Sequence, residues 1–300
     1  MSNETGLLQV YKGSCYQKIY QKKYQKIIVL DLDETIGSFG DLYILWTALN
    51  KIRALDKNET QTIFDILMDM YPEFLRYGIL NILEFLYFKK ASGQCDKLFI
   101  YTNNICTPPW VSLIVSYINK RLKTSNCLFD KIISAFKINN KIVEFLRTSK
   151  DKNCGDLIRC TLLPKTTEIC FIDDTYHRDM INEKVYYIQP FPYFHGLSVD
   201  VIIKRFMLSS YGVEFMKKTN MMHTFEEYIS DWFFFHHKGR DDVASTKDVD
   251  VFVAQKMMYH IKDFFYLTNR KNRTCKKRAS NHRKTHKNRL SVDSSLNQLS

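Results

Sequence analysis

The sequence predicts an α/β fold: a doubly wound parallel sheet with a helical insertion early in the core and a helical C-terminal extension. Three observations carry that expectation. Ile27–Leu30, Lys97–Tyr101 (KLFIY), Glu168–Ile172 (EICFI) and Val185–Gln189 (VYYIQ) are short runs of branched or aromatic apolar residues, the pattern of buried parallel strands. Helical periodicity fills the stretches between them, as crossovers between parallel strands require. The first three runs each end in polar residues, where ligands bind in open α/β sheets.

Taken in order, residues 1–25 form a polar lead-in with no assigned structure. The first strand runs into KIIVLDLDETI, Lys26–Ile36, which places Asp31, Asp33 and Glu34 directly after an apolar strand. Residues 41–75 read as a helical insertion, with apolar positions at Leu42, Leu45, Trp46, Leu49, Ile52, Ile63, Ile66, Leu67 and Met70. Asn81–Lys89 continues as helix. Pro108 and Pro109 stand at the start of another helix that reaches Leu122. Asp130–Ser134 (DKIIS) suits a short strand. The core is expected over 26–206, a helical extension over 207–268, and a basic, disordered tail over 269–300.

Composition narrows the class. The 300 residues are 45% apolar, enough for a packed core. The net charge of +12 is concentrated in residues 269–300, which hold ten Lys or Arg and one acid, Asp293. That tail has three readings: an inert solvated extension, a nuclear import signal in KKRASNHRK (Lys276–Lys284), or a weak non-specific nucleic-acid contact through residues 269–290. No apolar run approaches the roughly 18 residues that a membrane span needs, so no membrane association is expected. The eight cysteines form no C-x-x-C pair. Neither zinc spacing nor a disulfide framework is indicated, and an intracellular, cytoplasmic or nuclear setting is expected. Cys106, Cys160 and Cys170 read as core thiols, and His177 as a surface or loop-fixing histidine, with contact to substrate as the alternative. His236 and His237 are assigned no site, and Trp232–Phe235 reads as the packed face of a helix, with a docking surface for a partner as the alternative.

The strand ends suggest chemistry. Parallel strands would bring Asp31 and Asp33, then Thr102, Asn103 and Asn104, then Asp173 and Asp174, to one edge. Carboxylates converging there repel one another. A divalent cation with oxygen ligands relieves the repulsion, and Mg²⁺ suits such a set. A carboxylate beside a metal can attack phosphorus, and a second one two residues on can move the proton.

The motifs DLDET (Asp31–Thr35), YTNN (Tyr101–Asn104), an intervening lysine, and IDD (Ile172–Asp174) resemble those of the haloacid dehalogenase-like phosphatases. The D-x-D-E-T form is most similar to the TFIIF-associating and small CTD phosphatases, which act on the RNA polymerase II C-terminal domain. Most other branches have Gly at the position of Glu34. The resemblance spans roughly Lys26 to Phe206, and Arg76–Leu86 looks like the helix preceding the second motif. It implies a HAD-like Rossmannoid core, with Asp31 as nucleophile and Mg²⁺ ligand. Asp33 is implied as general acid/base and as a carbonyl ligand, and Thr35 as the residue that holds the loop and places Asp33. Thr102, with Asn103, is implied to bind phosphate through its hydroxyl and the adjacent amide. Asp174 and Asp173 are implied as metal ligands. Lys152 is the best match for the third-motif lysine, with Lys150 and Lys165 as rivals.

The implied activity is a phosphoric monoester hydrolase acting on a phosphoserine or phosphothreonine protein. The alternatives are a nucleic-acid 3′-phosphatase of the same fold and a non-catalytic adaptor. Two departures weaken the CTD assignment. The helical stretch 41–75 stands where that branch has a β-hairpin, and the fourth motif reads Asp-Asp where the small CTD phosphatases have Asp-Asn.

Overall fold

The computed structural model describes residues 7–14, 25–53, 57–107, 109–237 and 246–267. In chain order its elements are β1 (Leu8–Lys12), β2 (Lys26–Leu30), α1 (Gly40–Ile52), α2 (Lys57–Met70), α3 (Ile79–Ala91), β3 (Lys97–Tyr101), α4 (Trp110–Arg121) and β4 (Lys131–Ile133). A small hairpin follows, β5 (Lys137–Ile138) and β6 (Lys141–Ile142). After it come α5 (Cys154–Thr161), β7 (Glu168–Ile172), β8 (Val185–Pro190), α6 (Val199–Leu208), α7 (Ser210–Lys218) and α8 (Phe225–His236). A last helix, α9, covers 247–267. The basic tail and the readings attached to it lie outside the described residues.

The main sheet has six strands in the order β1-β8-β7-β2-β3-β4. All neighbours are parallel except β1, which pairs antiparallel with β8. The expected α/β class with a mostly parallel sheet is therefore observed, and the sheet is mixed. Within the lead-in, to which the sequence assigns no structure, Leu8–Lys12 is an edge strand. Its Leu8 and Val10 alternate with Gln9 and Tyr11, and Leu8 and Val10 pack on one face of the sheet while Tyr11 packs on the other. The β5–β6 hairpin also escapes the pattern reading. Its two-residue turn has Asn139 and Asn140 at φ 50° and 62°, the left-handed pair that a type I′ turn requires and that Asn tolerates.

The two faces of the sheet are covered unequally. One carries Ile28, Leu30, Leu98, Ile100, Cys170, Ile172, Tyr186 and Ile188, buried beneath α1–α4 and the α6–α9 helices. The other carries Ile27, Val29, Phe99, Tyr101, Ile133, Ile169, Phe171, Val185 and Tyr187. Among the described residues, α5 supplies the helical cover there, through Leu157 and Cys160.

The insertion is helical as expected, and it is built into the larger core. Leu42, Leu45, Trp46 and Leu49 of α1 and Phe64, Leu67 and Met68 of α2 are buried there. Phe206, Phe215, Phe225 and Phe233 place the C-terminal helices in the same cluster. Burying a large apolar side chain stabilises by roughly 1.5–3 kcal/mol, so both additions contribute to one folded body. Among the described residues no helix is long and apolar enough to cross a membrane.

Candidate active site

Strand register brings the acids together. Leu30 pairs with Ile172 in the parallel β2–β7 ladder, so Asp31 and Asp173 leave the sheet side by side. The ladder continues one step, with the Asp31 N–H donating to the Ile172 carbonyl at 2.9 Å and the Asp173 N–H to that of Ile188 at 3.2 Å. On the other side of β2, the Thr102 N–H donates to the Ile133 carbonyl at 3.0 Å. The three polar-ended runs thus deliver Asp31, Thr102 and Asp173 to one edge.

Asp31, Asp173 and Asp174 each offer a carboxylate oxygen within 4.8 Å of the others. Asp31 and Asp173 are 7% and 1% exposed. Lys152, 2% exposed, bridges these two. Its Nζ donates to Asp31 Oδ1 and, at 2.7 Å, to Asp173 Oδ2. Burial disfavours the ammonium, but the two carboxylates outweigh it and hold Lys152 protonated. Lys152 is therefore the lysine that reaches the acids, while Lys150 and Lys165 are exposed at the surface.

One lysine does not balance the cluster. Burial pushes the Asp31 carboxyl well above the usual carboxylate range. Lys152 opposes the shift, and Asp173, Asp33 and Asp174 add to it. Asp173 goes the other way: burial is overcome by Lys152 and by His177, whose Nε2 lies 3.4 Å from it. Asp174 is pushed up to about 6 by burial and by the charge of Asp173. Three carboxyl groups beside one ammonium form an oxygen-rich set, the donor chemistry that fits Mg²⁺.

The loop after β2 is held from several sides. Glu34 has φ 54°, in the left-handed region that glycine adopts freely and other residues enter at a cost of order 1 kcal/mol. Its N–H donates to the Gly37 carbonyl at 2.8 Å, and its own carbonyl accepts from the Tyr193 N–H at 2.9 Å. Buried Arg76 clamps the same turn, donating to the carbonyls of Thr35 (2.7 Å), Glu34 and Phe191 (2.8 Å). Thr35, expected to hold the loop and place Asp33, spends its hydroxyl on Asp174. It donates to Asp174 Oδ1 at 2.8 Å and accepts the Asp174 N–H at 2.9 Å. Asp33 is half-buried, and its Oδ2 accepts from Asn104 Nδ2 at 2.9 Å.

Thr102 is buried, and its Oγ1 accepts the Asn104 N–H at 2.9 Å. Among the described residues no acceptor for its hydroxyl proton is seen. Lys152 is positioned by the start of α5. Asn153 caps that helix, accepting the Asp156 N–H at 2.7 Å, and its own N–H donates to the Tyr101 hydroxyl at 3.3 Å. Arg147 was not singled out from the sequence. It donates to the carbonyls of Thr102 (3.1 Å) and Lys150 (2.7 Å), tying two of the site's loops together. Its distance from Lys152 in the chain is small, but no residue pattern marks it.

Other expectations sort plainly. Cys160 and Cys170 are buried and Cys106 is half-buried, all free thiols. Burial pushes Cys106 up to about 12 and Cys160 to about 11, which removes them as nucleophiles at neutral pH. His177 contacts Asp173 and so joins the cluster. The Trp232–Phe235 reading needs correction. Phe233 is buried, but Phe234 and Phe235 are 80% and 76% exposed, because consecutive helical residues point 100° apart and one face cannot bury all four. His236 and His237 line a cleft of about 490 Å³ beside Glu34, where His237 and His195 flank Asp41 at 3.4 and 3.3 Å.

Fold and site together define an α/β protein with a carboxylate cluster at the carboxyl edge of a parallel sheet. Compared with protein-family models, with curated proteins and with solved structures, the chain matches none.

Proposed function

We propose that the protein is a Mg²⁺-dependent phosphatase of HAD-like type, working through an aspartyl-phosphate on Asp31. The observation that carries this reading is the convergence of Asp31, Asp173 and Asp174 on Lys152 at the sheet edge, with Asp33 two residues beyond Asp31. In the first step an Asp31 oxygen forms a bond to phosphorus, the ester P–O bond breaks, and Asp33 gives its proton to the leaving oxygen. In the second, Asp33 takes a proton from water, the water oxygen bonds to phosphorus, and the Asp31–phosphorus bond breaks. Lys152 and the Thr102 hydroxyl hold the phosphoryl oxygens. Asp31, Asp173, Asp174 and the Asp33 carbonyl would hold Mg²⁺, which supplies charge neutralisation at the phosphoryl group.

The substrate class we favour is phosphoserine or phosphothreonine in protein, such as a CTD-like repeat, because Glu34 stands at the position that separates that branch. The raised Asp31 carboxyl belongs to the metal-free site; a nucleophilic role requires the ionised form, which a bound cation would favour. The test compares release of phosphate from a phosphopeptide and from a 3′-phosphorylated oligonucleotide, for the wild type and Asp31→Asn. The expected result is peptide turnover that disappears in the variant and on chelation of Mg²⁺. Faster oligonucleotide turnover would favour the nucleic-acid reading, and no turnover on either at high Mg²⁺ the adaptor.

A further inference from the structure

Arg147 is 2% exposed, and among the described residues its hydrogen-bond partners are all neutral. Nη1 donates to the Thr102 carbonyl at 3.1 Å and the Ser134 carbonyl at 2.8 Å. Nη2 donates to Asn103 Oδ1 at 2.8 Å and the Lys150 carbonyl at 2.7 Å. Among the described residues Nε is buried with no acceptor. The guanidinium lies 4.9 Å from the Tyr101 ring centroid, a ring that Lys152 Nζ approaches to 5.7 Å. A buried guanidinium without a carboxylate is costly. Stability alone does not account for keeping it directly beneath the loop that carries Thr102 and Asn103.

Asn103 is exposed, and its side-chain oxygen is committed to Arg147. An amide carries its acceptor and its two donors on opposite sides. With the oxygen drawn inward, the Nδ2 donors are the part of Asn103 offered to an incoming group. We infer that Arg147 is a positioning residue: it locks Asn103 with its amide donors outward, so that Asn103 and the Thr102 hydroxyl form one anion-binding unit. This rests on the proposed phosphate chemistry at the same edge, since an anion is what that unit would bind.

The planar fork is the necessary feature, because a lysine at this position would keep the charge but could not serve the Thr102 and Ser134 carbonyls and the Asn103 and Lys150 oxygens together. The test is a double-mutant cycle on tungstate binding, followed by calorimetry with Mg²⁺ present, for the wild type, Asn103→Ala, Arg147→Lys and the double variant. Each single change is expected to weaken tungstate about tenfold, and the double variant to be no weaker than Asn103→Ala within about threefold. Losses that multiply would overturn the inference, as would a wild type that binds no tungstate. Should Arg147→Lys fail to fold, Asn103→Asp carries the test. It gives the guanidinium a carboxylate, so the melting temperature should rise while tungstate binding falls at least tenfold; unchanged binding overturns the proposal. Coupled binding in a protein that turns over no phosphate ester would sink the proposed reaction and leave this inference standing.

Discussion

Two buried acids, Asp156 and Asp31, behave in opposite ways. Asp156, in α5, is 0% exposed. It accepts the Thr148 N–H and hydroxyl, both at 2.9 Å, and Arg159 Nη2. Burial alone would raise its carboxyl, but these partners hold it below the usual range. Asp31, equally sequestered, shares one ammonium with Asp173 and faces further carboxylates, and its carboxyl is raised. The satisfied acid braces the loop that carries Lys152. The other shares its one ammonium with a second acid, an imbalance that the proposed cation would relieve. Unmet charge at a sheet edge marks a ligand site more reliably than buried charge as such.

The sharpest way to break the comparison is to neutralise both acids. Asp31→Asn is expected to lower phosphopeptide turnover by at least about 10³-fold, without lowering the metal-free melting temperature, because it removes one of several like charges. A parallel loss of activity and stability would place Asp31 with Asp156 as a structural acid. Next in size, Lys152→Met leaves Asp31 and Asp173 facing each other without their shared ammonium. It should cost roughly 3–5 kcal/mol in denaturant melts without Mg²⁺ and noticeably less with Mg²⁺ present. An equal cost in both buffers would argue against a cation among these acids.

Adding Mg²⁺ to the wild type should stabilise it by about 2.7 kcal/mol at one hundred times the dissociation constant. Asp156→Asn should leave that increment intact, and Asp31→Asn should reduce it. The smallest effect concerns pH. The Asp156 carboxyl is depressed on folding, so its contribution is full above the ordinary carboxylate range and is lost as pH falls through its folded value. Asp156→Asn should therefore cost about 1–3 kcal/mol at pH 7. The gap from wild type should narrow below about pH 4. Melts at the two pH values check this, and a constant gap would mean that Asp156 acts through something other than its charge.

Much of the site was legible because the chain places its acids immediately after apolar strand runs. The runs Ile27–Leu30 and Glu168–Ile172 pair in register, and the step after each is an aspartate. Lys152 was a preferred candidate among three, and the sheet edge decided in its favour. Arg147 and Arg76 escaped, since a guanidinium that bonds to carbonyls of remote loops leaves no spacing pattern. The β1 edge strand escaped because its five residues sit in an otherwise polar stretch.

The sequence by itself determined the class of fold, the helical character of residues 41–75 and the residues that could meet at one edge. Those follow from local periodicity and from polar groups placed at strand ends, which are properties of neighbouring residues. Only the tertiary structure decided which lysine bridges Asp31 and Asp173, that Thr35 serves Asp174, and that Arg147 holds Asn103. Each of these is a contact between segments far apart in the chain. Such contacts depend on strand order, register and loop path, and those are settled by packing the whole core.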